Sequence, residues 1–136
     1  MQFETPFAPA RAKPAQIALI GAGEFGLSLI AQSRRMQGLR IVAAADADPA
    51  RIATALSGMG VAARRCDSPA AAKAAIDAGE LALCENAADI MVLPVEMVVE
   101  ATGSPEAGAV HAAAAIEAGI GVTMVYSVPL NNQLAA

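Results

Sequence analysis

Three times in this chain a short strand-like run gives way to an acidic or hydroxyl residue followed by proline: Asp48-Pro49, Ser68-Pro69 and Ser104-Pro105. Each pair is a helix start. The aspartate or serine oxygen can accept an orphan N–H of the first turn, and proline, with fixed φ and no N–H, suits the first helical position. Glycines stand where these helices would stop, at Gly58, Gly79 and Gly119. The runs before them are too short for helices, and the most apolar do not alternate with polar residues, as in strands buried on both faces. Strands alternating with helices need crossover connections, which are right-handed and join parallel strands. The expected fold is therefore α/β, a doubly wound parallel sheet.

Along the chain, residues 1–15 carry Pro6, Pro9 and Pro14 and read as an irregular leader. Gln16 to Ile20 is the first strand. A helix is expected from Glu24 to about Gln37, with Phe25, Leu29, Ile30, Ser33 and Met36 near helical spacing and Gly38 behind it. Arg40 to Ala45 is a second strand, "VAARRC" a short third, and "LALCENAADIMVLP" a brief strand with a short helix ending before Pro94. Glu96 to Ala101 forms another strand, Thr102-Gly103 a turn, Pro105 to Ala118 a helix and "GVTMVYS" the last strand. One domain over 16–126 results, followed by an irregular tail over 127–136.

Hydrophobic residues make up 56% of the chain, yet aromatics are only 3% and alanine about a quarter. The core must be built from Ala, Val, Ile, Leu and Met, with Met91, Met97 and Met124 as gap-fillers. The net charge is −4 and no basic run exceeds an arginine pair, which argues against a nucleic-acid partner. Cys66 and Cys84 stand eighteen positions apart without a CxxC, and the single His111 cannot complete a zinc site. Free thiols are expected. The amino terminus lacks the apolar core of a signal peptide, and no stretch approaches the ~18 apolar residues of a membrane span. A soluble, cytoplasmic protein without a membrane partner is the expectation.

The stretch "IALIGAGEFGLSLIAQ" holds three glycines between a strand and a helix, the context in which such a loop cradles a pyrophosphate. Gly21 would make the tight turn, Gly23 would let backbone approach the phosphates, and Gly26 would let the helix pack on the sheet. The N–H groups around Gly23, Glu24 and Phe25 would face the phosphates at the positive end of the helix dipole. Asp46 ends the second strand twenty residues after Gly26, where an acid binds an adenosine ribose hydroxyl. Asp46 would repel a 2′-phosphate, which favours NAD over NADP. Arg51, Arg64 and Arg65 are near enough in sequence to neutralise one, so both cofactors stay open. An FAD protein would more usually have Glu at the strand end and a later acidic motif, which is not found here.

Three stretches, "IALIGAGEFG", "IDAGELALCENAADI" and "VVEATGSPEAGAVHAAAAIEAGIGVTMV", together resemble one family. They are similar to the N-terminal domain of homoserine dehydrogenase-like oxidoreductases with a C-terminal SAF domain, a group that includes a deoxyxylulose-phosphate-reductoisomerase-like branch. The resemblance covers about Gln16 to Val125. "AAADADPARI" also resembles the second-strand end of the Gfo/Idh/MocA oxidoreductases, which have the same cofactor domain. The resemblance implies a Rossmann NAD(P)-binding domain. It places the phosphates on Gly21, Ala22, Gly23, Glu24, Phe25 and Gly26, the ribose near Asp46, and the nicotinamide side near Ala101, Thr102 and Gly103. The relatives continue into a substrate domain carrying their lysine and acidic groups. This chain ends in "VYSVPLNNQLAA", which departs from that continuation, so turnover by these residues alone is not expected.

Glu100 is expected to be buried, either as a hydrogen-bonded structural carboxylate or in contact with the cofactor. His111 lies among alanines with no carboxylate partner evident in the sequence, which suggests packing or a surface position. Two other readings stay open: a stand-alone dinucleotide-binding or redox-sensing module, and an S-adenosylmethionine methyltransferase. An exposed last strand would invite pairing with a second copy.

Overall fold

The computed structural model describes residues 13–125, so the expectations for 1–12 and 126–136 lie outside the described residues. Six strands and five helices alternate: β1 (Ala15–Ile20), α1 (Glu24–Ser33), β2 (Leu39–Ala45), α2 (Pro49–Gly58), β3 (Ala63–Cys66), α3 (Pro69–Asp77), β4 (Leu81–Cys84), α4 (Ala87–Ile90), β5 (Met97–Glu100), α5 (Pro105–Glu117) and β6 (Gly121–Met124). All strand pairs are parallel, in the order β3-β4-β2-β1-β5-β6. The doubly wound α/β fold is as expected.

The three X-Pro starts behave as their chemistry requires. Asp48, Ser68 and Ser104 each accept a hydrogen bond from the N–H three residues on, at Arg51, Ala71 and Ala107. The first helix is shorter than expected, ending at Ser33. Its buried residues are Gly26, Ile30 and Ser33, while Phe25 and Met36 are exposed. Met97 and Met124 are likewise exposed rather than core fillers.

Chain direction explains which face each helix covers. From β1 through β2 to β3 the chain travels toward one edge, then turns back through β4, β5 and β6. With right-handed crossovers, reversing direction moves the helix to the other face. Accordingly Ile30 of α1 and Ile52 and Leu56 of α2 pack with Leu19, Ile41 and Leu83 on one side. Ala72 and Ala75 of α3, Ile90 of α4 and Ala115 of α5 pack with Ala18, Val42 and Val98 on the other. A register shift between Ile17 and Ala18 inserts Val42 as an extra residue of β2, so Val42 and Ala43 both join the second core.

The alanines explain how so few large side chains fill two cores. Ala18, Ala43, Ala44 and Ala82 are completely buried in the central strands, so helices approach the sheet closely. Where the helices following two adjacent strands go to opposite faces, the chain diverges beyond the strands' carboxyl ends and leaves a crevice there. Here that happens between β1 and β5, and between β2 and β4. Ligands of open α/β sheets bind in such crevices.

Candidate functional site

The crevice is a cavity of about 440 Å³ at the carboxyl ends of four strands. Its walls come from Ile20 at the end of β1 with Gly21 and Gly23 beyond it, Ala45 at the end of β2 with Asp46 and Ala47 beyond it, Glu85 and Ala87 after β4, Ala101 and Thr102 after β5, and His111 of α5. Of the residues expected to form a site, Gly21, Gly23, Asp46, Ala101 and Thr102 line this one cavity. Ala22 is buried behind it, and Glu24, Phe25 and Gly26 begin α1. Gly103 follows in the β5–α5 turn with φ +74°.

Each loop glycine has its own physical reason. Gly21 has φ +87°, and a Cβ there would lie 2.8 Å from backbone atoms of Ala101 and Thr102. It therefore lets the β1 and β5 loops touch. A Cβ on Gly26 would sit 2.6 Å from the Gly21 carbonyl oxygen and 2.9 Å from a Leu19 methyl, so this glycine seats α1 on the sheet. Gly23 differs: nothing lies within 4 Å of a Cβ placed there. No contact among the described residues demands a glycine at that position.

The start of α1 also differs from the other long helices. Asp48, Ser68 and Ser104 cap α2, α3 and α5, but at Gly23 no side chain caps α1. The first intrahelical bond is from the Leu27 N–H to the Gly23 carbonyl at 2.9 Å, so the N–H groups of Gly23 to Gly26 precede it. Uncapped first-turn donors and the helix dipole together favour an anion.

Asp46 organises the loop from the side. Its Oδ2 accepts the Ala22 N–H at 2.9 Å and its Oδ1 the Asp48 N–H at 2.9 Å. Arg51 stands over it, with Nη2 3.5 Å from Oδ2, and donates to the Ala22 carbonyl at 3.3 Å. The other two arginines separate. Arg64 is bound by Glu80, 2.6 Å away, and Arg65 lines a neighbouring cavity with Asp67, Glu85 and Asp89.

At the opposite end of the crevice the structure supplies a partner the sequence did not show. Glu100 is 2% exposed; its Oε1 accepts the Thr102 N–H at 2.8 Å and the Thr102 hydroxyl, and its Oε2 pairs with His111 Nδ1. His111 thus has a carboxylate partner, contrary to the expectation of a lone packing or surface residue. The spacing itself carries a signal for this pair. Glu100 closes a strand at the crevice, and His111 lies within the second turn of the next helix, which returns over that strand. Glu85 and Ala87 were also not anticipated, although Glu85 directly follows a strand.

Cys66 and Cys84 are free thiols; both are buried, and they are register partners on β3 and β4. Burial pushes both thiols up, Cys84 to about 11, with the neighbouring Cys66 adding to the effect. Among the described residues no cluster of side chains could hold a metal ion, and no helix is long and apolar enough to cross a membrane.

No family profile matches the chain, and no curated protein sequence does. Among solved structures it is similar to scyllo-inositol dehydrogenase from Lactobacillus casei, in a crystal structure with bound cofactor NAD(H) and scyllo-inositol and in apo structures of the same protein. For each the TM-score is 0.56 at 20% identity, covering 82% of this chain and 28% of the dehydrogenase. At that identity the likeness shows the fold, a Rossmann-like parallel sheet. The chain spans 28% of the length of these neighbours.

Proposed function

We propose that this chain is the nicotinamide-dinucleotide-binding domain of a cytoplasmic oxidoreductase of the homoserine dehydrogenase-like group. The observation that carries the proposal is the start of α1: a long helix without a side-chain cap, opening on a glycine with empty space around it, beside a carboxylate. An open helix terminus flanked by an acid fits a pyrophosphate followed by a ribose. The shared fold with a dehydrogenase whose structure contains NAD(H) supports the same reading.

In this proposal the N–H groups from Gly23 through Gly26 hold the phosphates, Ala22 contributing its position rather than its N–H, which Asp46 already binds. Asp46 keeps free lone pairs for the adenosine ribose. Ala101, Thr102 and Gly103 flank the nicotinamide end. The cofactor, when bound, supplies a hydride acceptor or donor. This chain's residues bind it, orient it and shield one side from water. The groups that contact substrate belong to parts of the enzyme other than these residues.

NAD is favoured because the Asp46 carboxylate would face a 2′-phosphate. Arg51, whose guanidinium reaches both Asp46 and the loop, is the residue that would make NADP acceptable. Calorimetric titration of the purified chain with NADH, NADPH and FAD tests the proposal. The expected result is saturable binding of a nicotinamide dinucleotide in the micromolar to millimolar range, roughly −8 to −4 kcal/mol, and none of FAD. Absence of saturable nicotinamide-dinucleotide binding at millimolar concentrations refutes it.

A further inference from the structure

The Glu100–His111 pair has a place in this crevice beyond packing. Glu100 is the one charged residue counted among the buried core of the described chain, and the two groups it holds, Thr102 and His111, both line the cavity. With Nδ1 engaged by the carboxylate, Nε2 is the other ring nitrogen of His111. We propose that His111, held by Glu100, sets the preference of this site between the oxidised and the reduced nicotinamide ring through its protonation state. The inference rests on the placement of the nicotinamide at the 101–103 loop made above.

The physical argument is charge balance. The oxidised ring carries a positive charge and the reduced ring none. When His111 is neutral, the Glu100 carboxylate leaves this end of the crevice negative, which favours the cationic ring. When His111 is protonated the pair is neutral overall, and that preference is lost. Histidine is the side chain whose charge changes near neutral pH, and this chain has one. The surrounding charges do not supply the same switch. Asp46 and Glu85 line the crevice from β2 and β4, with Arg51 against Asp46, while α5 itself carries Glu106 five residues before His111 and β6 brings no ionisable side chain. In a partly enclosed site, one unit of charge beside the ring is expected to change the relative affinity about threefold to tenfold.

Linkage gives the test. If protonation of His111 weakens NAD⁺ relative to NADH, then NAD⁺ must lower the titration midpoint of His111 relative to NADH by the same factor. The single imidazole is followed by NMR from about pH 5 to 9, in the chain saturated with NAD⁺ and, separately, with NADH. The expected result is a midpoint lower by about half to one unit in the NAD⁺ complex, and a Kd ratio that loses its pH dependence in His111→Gln. Equal midpoints in the two complexes overturn the inference while leaving dinucleotide binding intact. Failure of both dinucleotides to bind overturns the functional reading, and this inference with it. A purely structural histidine would titrate identically in both complexes.

Discussion

The two glycines flanking the start of α1 allow folding and binding to be separated by one methyl group each. Gly23 has φ −72° and ψ −159°, an extended conformation open to any residue, and a Cβ there meets nothing within 4 Å. Alanine is a poorer N-cap than glycine by about 0.5–1 kcal/mol, and the more restricted unfolded chain returns about 0.4–1 kcal/mol. Gly23→Ala should therefore change stability by less than about 0.5 kcal/mol. The same methyl would stand in the space we assign to the pyrophosphate, and should weaken NADH binding at least tenfold, about 1.4 kcal/mol. Gly26→Ala reverses the pattern. Helix propensity gains about 1 kcal/mol, but the new Cβ would lie 2.6 Å from the Gly21 carbonyl, backbone that moves only with the whole loop. Overpacking of this kind costs about 1–3 kcal/mol, so after that gain a net loss of up to about 2 kcal/mol is expected. Urea denaturation gives the stabilities and calorimetric titration the affinities. Undiminished NADH affinity in Gly23→Ala, or a stability loss there equal to that of Gly26→Ala, would refute the reasoning.

Asp46→Ala should weaken NADH and improve NADPH relative to it. Loss of the bonds to the Ala22 and Asp48 N–H groups adds about 1–3 kcal/mol of destabilisation, read in the same two assays. Arg51→Ala should reduce NADPH affinity more than NADH affinity, because the cation beside Asp46 is removed. Ser68→Ala, outside the crevice lining, should cost about 1 kcal/mol through loss of the α3 cap and leave dinucleotide affinity unchanged. Burial pushes the Cys84 thiol from 9.0 up to about 11, so between those values the folded chain keeps a proton that the unfolded chain releases. Stability from this thiol is therefore complete below pH 9 and falls toward pH 11 by about 2–3 kcal/mol, a slope that Cys84→Ala should lessen in urea melts across that range.

What could be read from the sequence was local chemistry. The order of strands and helices follows from the X-Pro starts and glycine stops, because a cap or an αL turn involves residues only a few positions apart. The glycine loop was legible for the same reason, and so was Asp46, whose distance from Gly26 is set by one helix and one strand. The early end of α1 was not legible, because Met36 continues the apolar spacing without finding a surface to cover.

Tertiary structure decided what depends on pairing between distant segments. β4 enters the sheet between β2 and β3, and this order rather than any local pattern sets Cys66 opposite Cys84 and brings Glu85 to the crevice. The return of α5 over β5 turned an apparently solitary histidine into the partner of a buried glutamate. That Gly23 faces empty space while Gly21 and Gly26 are hemmed in by other loops could be seen only once those loops were in place. Capping and turn preferences are energies of neighbours in the chain and so are written in sequence. Close approach, burial and charge pairing are energies of neighbours in space, and only the folded chain chooses those neighbours.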